Sequence, residues 1–455
     1  MDVDDGTDLE AQIAQWRGYL HRRRAVHDVD VEELEDHLRA TVADLVEAGL
    51  RPDEAFLVAV KRMGRLDELS REFARVHSER LWKQLVLAGG PDAAAAGSGR
   101  RDLLTVAGCA AAAAIGVKLP ALFGHDLDTD GGFYARNIGF FALVPLAAYF
   151  VLRRRVRPVV VGVLAGLFTL GAVAANAYPV TEQSQSFGLT AAHLPLALWL
   201  AVGVAYLGGD WRADRARMDF VRFTGEWLIY YVLIGLAGGI LLGVTHSAFD
   251  TIGIDASTVI GNWLLPCGAA ATVVVAAWLV EAKQHVIENM APVLTRLFTP
   301  LFAVTLIALL VAVLLHGNVV EVERDMLLLS NLLLVIVLGL LLYAISARDP
   351  ATRPASFDWM QLALALAATL LDLLILLAVT GRISEWGTTP NKAAVLGANL
   401  ILFANLAWTA ILLADFIRRR RPFEQLERWQ TRYLAVYAAW TWIVVVAFPP
   451  AFNYA

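Results

Sequence analysis

Residues 360–380 read MQLALALAATLLDLLILLAVT, an unbroken apolar run with one ionisable side chain, Asp372, near its centre. A helix needs about 20 largely apolar residues to bridge a hydrocarbon core of roughly 30 Å, so this stretch is long enough to cross a bilayer. Working outward, ten further segments of similar character lie at 103–123, 134–152, 158–178, 190–208, 227–246, 259–280, 298–316, 326–346, 393–416 and 433–450. Eleven apolar segments separated by short polar loops predict an all-α, polytopic membrane protein in contact with lipid along most of its length.

Composition agrees. Of 455 residues, 58% are hydrophobic and the mean hydropathy is +0.56, against about 45–50% apolar content in a soluble domain. A net charge of -5, with basic residues scattered among short loops, excludes a nucleic-acid partner. Cys109 and Cys267 both fall inside apolar segments, where a thiol behaves as a small hydrophobe, so neither a disulfide framework nor a thiolate metal site is implied.

Loop charge sets the orientation. With the amino terminus inside, the inner loops hold Arg153, Arg154, Arg155 and Arg157, then Arg212, Arg215, Arg217 and Arg222, then Lys283 and Arg296, then Arg348 and Arg353, and last the cluster Arg418 to Arg421 with Arg428 and Arg432. The outer loops hold only Arg136, Arg324, Arg382 and Lys392. The positive-inside rule then places the carboxyl terminus outside. The opening MDVDDGTDLEAQ is acidic and has no secretory pattern, which agrees with a cytoplasmic start. Aromatic residues at segment ends, among them Trp211, Trp227, Trp359, Trp386, Trp429, Tyr433 and Tyr178, suit the headgroup layer.

Ahead of the spans, residues 1–88 read as a small cytoplasmic helical bundle. Leu9, Ile13, Trp16 and Leu20 share one helical face; Leu34, Leu38, Val42 and Leu45 line a second helix that opens at Asp30 and stops at Gly49. Pro52, Asp53 and Glu54 start a third helix with stripe Phe56, Val60 and Met63. Leu66, Leu69, Phe73 and Val76 mark a fourth. Residues 89–101, with GGPDAAAAGSG at their start, read as a flexible linker to the transmembrane domain at 102–455.

The run DVEELEDHLRATVADLVEAGLRPDEAFLVAVKRMGRLDELSREFARV, residues 30–76, resembles the permease prefix domain, a helical module that precedes membrane-spanning regions in bacteria. FYARNIGFF from Phe133, RFTGEWLIYY from Arg222, AWLVEAKQHVIENMAPVLTRLFTPLF from Ala277 and RISEWGTTPNKAAVLGANLIL from Arg382 resemble uncharacterised bacterial multi-span proteins that follow that module. The resemblance implies a bacterial plasma membrane and a cytoplasmic protein partner for the head; it carries no catalytic residue and no substrate.

Ionisable groups at membrane depth are costly and are functional candidates by default. Asp372 is the first, with Lys118 as a candidate partner whose long stem could equally snorkel outward. His193, His246 and His316 lie in or near the outer halves of their spans, and Asn176, Asn262, Asn331, Asn399 and Asn405 extend the polar thread. Interhelical hydrogen bonds explain the asparagines without transport, and Gly235, Gly238 and Gly239 suggest close helix approach. Pro179, Pro195, Pro292 and Pro300 punctuate or kink span ends.

Asp126, Asp128 and Asp130 before Gly131 form the D-x-D-x-D-G opening of a Ca²⁺ loop, but Asn137 stands at the twelfth position where a glutamate is needed. The competing reading is a solvated acidic loop. Glu281, His285 and Glu288 share a helical face as a weaker metal candidate, and the loops 210–226 and 281–297 are long enough for surface helices, the first resting on lipid through Met218, Phe220 and Phe223.

Nucleotide-binding, metalloprotease and nucleophile-elbow motifs are absent, so no enzyme is predicted and no cofactor beyond that Ca²⁺ candidate is implied. Two function classes remain: a transporter or permease-like protein moving a small solute or ion, with regulation through the head, and a non-enzymatic sensor or scaffold coupling a membrane event to a cytoplasmic partner. A homo-oligomer is compatible with both.

Overall fold

The computed structural model describes residues 9–10, 12–13, 28–63, 92–282, 290–315, 324–348, 350 and 352–455. Every regular element among the described residues is helical. The chain divides into two compact units, 1–101 and 102–455.

In the first unit, α1 (Asp28–Glu47) and α2 (Pro52–Met63) form a hairpin. Gly49 takes φ +97°, and Gly49 and Leu50 return their N–H groups to the carbonyls of Val46 and Leu45, closing the helix as its glycine foretold. Helix α1 starts two residues before the expected Asp30. Ile13, Leu38, Val42, Leu45, Ala55, Phe56, Ala59 and Val60 make the core. Arg39 clamps it from outside through Glu10 at 2.5 Å and Glu35 at 3.0 Å. Trp16, Leu20 and the expected fourth helix with Leu66, Leu69, Phe73 and Val76 lie outside the described residues.

The expected linker needs correcting. Residues 92–101 belong to α3 (Asp92–Lys118), continuous with the first span. Four consecutive alanines, the strongest helix formers, outweigh Gly97 and Gly99, and Asp92 suits the positive end of the helix dipole.

Among the described residues the second unit is a bundle with eleven helices long and apolar enough to cross a membrane. After α3 come α4 (Gly131–Arg154), α5 (Pro158–Asn176), α6 (Gln185–Tyr206), α7 (Asp214–Thr251), α8 (Ser257–Ala282), α9 (Met290–Leu315), α10 (Arg324–Ser346), α11 (Ser356–Trp386), α12 (Pro390–Ile417) and α13 (Glu424–Ala451). The protein is an all-α, multi-pass integral membrane protein. Helices α8 and α13 each contain a π turn, at Ile260–Leu264 and Ile443–Ala447. Pro145, Pro195 and Pro300 lie inside helices, whereas Pro158 and Pro390 start them.

Two cores organise the bundle. One joins α3 to α8, with Tyr149, Phe150, Leu194, Leu198 and Val274 at its centre. The other joins α9 to α13 around Leu306, Leu334, Val337, Leu371, Leu406 and Leu413. Helix α7 serves both: Phe220 and Phe223 enter the first, Met218 and Val221 the second.

That arrangement overturns the reading of 210–226 as a lipid-anchored surface helix. Its amphipathic pattern is real, but the apolar face packs inside the protein, where Phe223 stacks on Tyr206 at 4.5 Å and on Trp199 at 6.4 Å. The same period serves a core as well as a lipid surface. Most of loop 281–297 lies outside the described side chains.

Beyond Leu228, α7 presents exposed apolar side chains, including Leu236, Ile240, Leu241 and Val244, as a lipid-facing helix does. Gly235, Gly238 and Gly239 therefore bring no helix close, and open space lies where a Cβ would stand. Close approach occurs instead at Gly397, where a Cβ would meet the Trp440 ring at 2.0 Å, and at Gly203 against Phe220.

The arginine-rich end is stapled from within. Glu281, nearly buried, receives Arg153 at 2.6 Å, Arg154 at 2.9 Å and the Tyr149 hydroxyl at 2.8 Å, tying α4 to α8, and Arg153 also reaches Asp102 of α3 at 3.0 Å. Arg222 of α7 donates to the Ser346 carbonyl that ends α10. Arg348 pairs with buried Asp358 between the rings of Phe416 and Phe423, 4.8 and 5.0 Å away.

Candidate functional site

The site is built at the middle of three consecutive spans. Asp372 stands sixteen residues from the start of α11 and fourteen from its end; Asn405 stands fifteen from the start of α12 and twelve from its end; Tyr437 stands thirteen from the start of α13 and fourteen from its end. At 1.5 Å per residue these positions lie about 20 Å from their helix ends, so antiparallel neighbours bring all three to one depth. The turn at 387–389, with Gly387 at φ +72°, is short enough to make α11 and α12 adjacent.

Asp372 is 0% exposed, and neither carboxyl oxygen has a hydrogen-bond partner among the described residues. Leaving a buried polar group unpaired costs about 1–3 kcal/mol, and an isolated charge costs far more. The Tyr437 hydroxyl lies within electrostatic reach of it.

At the same depth is a satisfied network. Asn405 donates to the Gln430 side-chain oxygen at 3.1 Å and to the Tyr437 hydroxyl. Its own oxygen accepts from Trp429 at 2.8 Å and Thr409 at 3.0 Å, and Gln430 donates to Thr409 at 2.5 Å. Asn405, Thr409 and Gln430 are all buried. The helical period explains the layout: Asn405 and Thr409 are one turn apart on α12, Gln430 and Tyr437 two turns apart on α13. Thr409 and Gln430 carry the polar thread toward the arginine-rich end. On the other side of the layer, buried Asn399 donates to the Val395 carbonyl at 2.8 Å while its oxygen has no partner among the described residues.

The remaining sequence candidates separate. Lys118 does not meet Asp372; its ammonium lies 4.6 Å from the ring centroid of Trp263, a residue of the π turn of α8. His193 is bonded at 2.9 Å to its own helix at the Leu189 carbonyl. His246 is exposed on α7, and His316 lies outside the described residues. Asn176 and Asn137 bond each other twice at 2.9 Å, an interhelical staple between α4 and α5.

The three loop aspartates have separate tasks. Asp126 accepts from the Asp128 backbone N–H at 3.2 Å, Asp128 accepts from Asn262 at 2.6 Å, and Asp130 both caps α4 at Phe133 N, 2.9 Å, and pairs with His125 at 2.6 Å. No group of three His, Cys, Asp or Glu side chains is placed to hold a metal ion among the described residues. His285 and Glu288 lie outside them.

Sequence reasoning missed Thr409, Gln430 and Tyr437 and misjudged two aromatics. The position of Trp429 and Tyr433 at a segment end suits the headgroup layer, yet Trp429 donates to Asn405, and Tyr433, buried, donates to the Ile401 carbonyl at 2.8 Å. The available signal was the seven-residue spacing of Gln430 and Tyr437 opposite Asn405.

No family model, curated protein or solved structure matches the chain. The site's meaning therefore rests on its own chemistry.

Proposed function

We propose that this integral membrane protein is a transporter or permease-like protein that moves a small solute or ion, with the layer of Asp372, Asn405 and Tyr437 in its pathway. The observation that carries the reading is the fully buried, unpartnered carboxyl of Asp372 at mid-depth beside a polar network shared by two further spans. A bundle that only holds its helices together gains nothing from such a group, whereas a pathway needs a site of variable occupancy at the centre. The arginine-rich end and the head face the cytoplasm in this reading, the carboxyl terminus lies outside, and the head regulates the membrane unit.

Ala368, buried one turn before Asp372, reports on the pathway. In a background with Cys109 and Cys267 replaced by serine, Ala368→Cys in sealed vesicles should react with a small, membrane-impermeant thiol reagent from at least one side. A cysteine unreactive from both sides across a range of pH and solutes would favour the sensor or scaffold. That second reading has one observation of its own, a groove of about 480 Å³ in the head lined by Leu9, Ile13, Val42 and Val46 with Arg39 and Glu47 at its rim.

A further inference from the structure

The chemistry of the mid-bundle layer narrows the ion. An alkali or alkaline-earth cation gives up its hydration shell only to several oxygen ligands at once. At Asp372 there is one carboxyl, and the side-chain oxygens of the Asn405 network are committed: Asn405 accepts from Trp429 and Thr409, Gln430 accepts from Asn405, and the Tyr437 oxygen accepts from Asn405. The one open amide oxygen of the layer among the described residues, on Asn399, makes no cage with a single carboxyl. One carboxyl without a cage can bind one cation, the proton, because a covalent O–H bond replaces the whole shell.

The surroundings isolate this group. Helix α9 presents no titratable side chain between Arg296 and Leu315, α12 none between Lys392 and Asp415, and α10 only Tyr343 between Leu327 and Ser346. On α11 itself the nearest charged residues are Asp358 and Arg382. From α13 the titratable group within electrostatic reach is Tyr437, while the Tyr433 hydroxyl is already given to Ile401. The Tyr437 oxygen takes its hydrogen bond from Asn405, which leaves the Tyr437 O–H hydrogen for an acceptor.

We propose that Asp372 is a reversible proton-binding site: its carboxyl O–H bond breaks, the proton leaves to whichever aqueous phase the pathway opens, and the carboxylate left behind accepts the Tyr437 O–H. Tyr437 keeps its proton throughout and is a positioning residue, held by Asn405. The proposal deepens the transport reading by naming the ion, though proton binding can be measured without flux.

Infrared difference spectroscopy of the full chain in lipid nanodiscs, titrated with pH in sodium and in potassium salt, reads the carboxyl directly. The C=O stretch of a protonated carboxyl should appear in the wild type and vanish on alkalinisation. It should be displaced in Asp372→Glu and missing in Asp372→Asn. Tyr437→Phe, which removes the donor to the ionised form, should retain the band into more alkaline solution. Identical titrations in the two salts support the proton. A band present in the wild type at every pH, absent at every pH, or displaced when sodium replaces potassium would overturn the proposal. The wild-type titration stands even where a variant fails to fold. A titrating band combined with an unreactive Ala368→Cys would reject transport and leave the proton site in place.

Discussion

Asn405 donates its side-chain N–H to the hydroxyl of Tyr437, and the two residues stand near the midpoints of neighbouring antiparallel spans. The bond joins α12 to α13 at the depth of Asp372 and fixes which way the tyrosine oxygen faces. Its energetic and functional consequences should separate. Tyr437→Phe removes one interhelical hydrogen bond and should cost about 0.6 kcal/mol. Asn405→Ala strands Gln430, Trp429 and Thr409 together and should cost about 1–3 kcal/mol. Thermal unfolding in detergent, followed by size-exclusion fluorescence, checks the order; equal losses would mean that the network is not shared as described.

Arg348 should be the most sensitive arginine outside the spans. Asp358 is 0% exposed, caps α11 by accepting from Ala355 N at 2.7 Å, and has Arg348 as its cation. Removing one partner of a buried pair costs about 3–5 kcal/mol. Arg348→Met should therefore lower the melting temperature sharply, and Arg348→Lys should rescue it poorly, because an ammonium cannot stack between Phe416 and Phe423 as a planar guanidinium does. Full rescue by lysine would contradict the role given to the two rings.

The His125–Asp130 pair gives the loop between α3 and α4 a pH signature. His125, and then the Phe133 N–H, hold the Asp130 carboxyl below its ordinary 3.8. A carboxyl lowered on folding contributes stability that is complete above its unfolded value and disappears as pH falls through the lower native one. Asp130→Asn keeps a cap-competent side chain but loses the charge. The melting-temperature gap between wild type and Asp130→Asn should be open at mildly acidic pH and close in stronger acid; a gap that widens in acid would reverse the assignment. Both side chains are about a third or more exposed, so the gap should be small and salt-sensitive.

Phe223 distinguishes a core from a membrane anchor. It is 2% exposed and packs against Phe150, Trp199 and Tyr206. Phe223→Ala should destabilise the folded bundle by about 3–5 kcal/mol. Unchanged thermal stability with weakened binding to anionic lipid would restore the surface-helix reading of residues 210–226.

How much of this could be read from the chain follows from what hydrocarbon demands. A lipid solvent forces every span to be a continuous apolar helix, so eleven spans and the isolation of Asp372 were visible as patterns of single segments. Partners were not. Tyr437 and Asn405 come to the depth of Asp372 only through the fold, and a tyrosine or tryptophan near a span end serves a headgroup layer or a buried amide equally well, as Trp429 shows. Charge alone makes Lys118 a candidate partner of Asp372 or a snorkelling cation, whereas its position on α3 delivers it to Trp263. The aspartates of the loop between α3 and α4 have calcium-loop spacing, yet capping α4 and bonding Asn262 and His125 turns them to separate partners.

Whether the Asp372 layer passes protons in a cycle is read from proton uptake by sealed vesicles reconstituted with the full chain and loaded with a pH-reporting dye, under an imposed membrane potential. Wild type should acidify the lumen well above protein-free vesicles, and Asp372→Asn, folded by the same thermal assay, should fall to the protein-free rate. An Asp372→Asn protein that carries protons as fast as wild type, or a wild type no faster than empty vesicles, would contradict it.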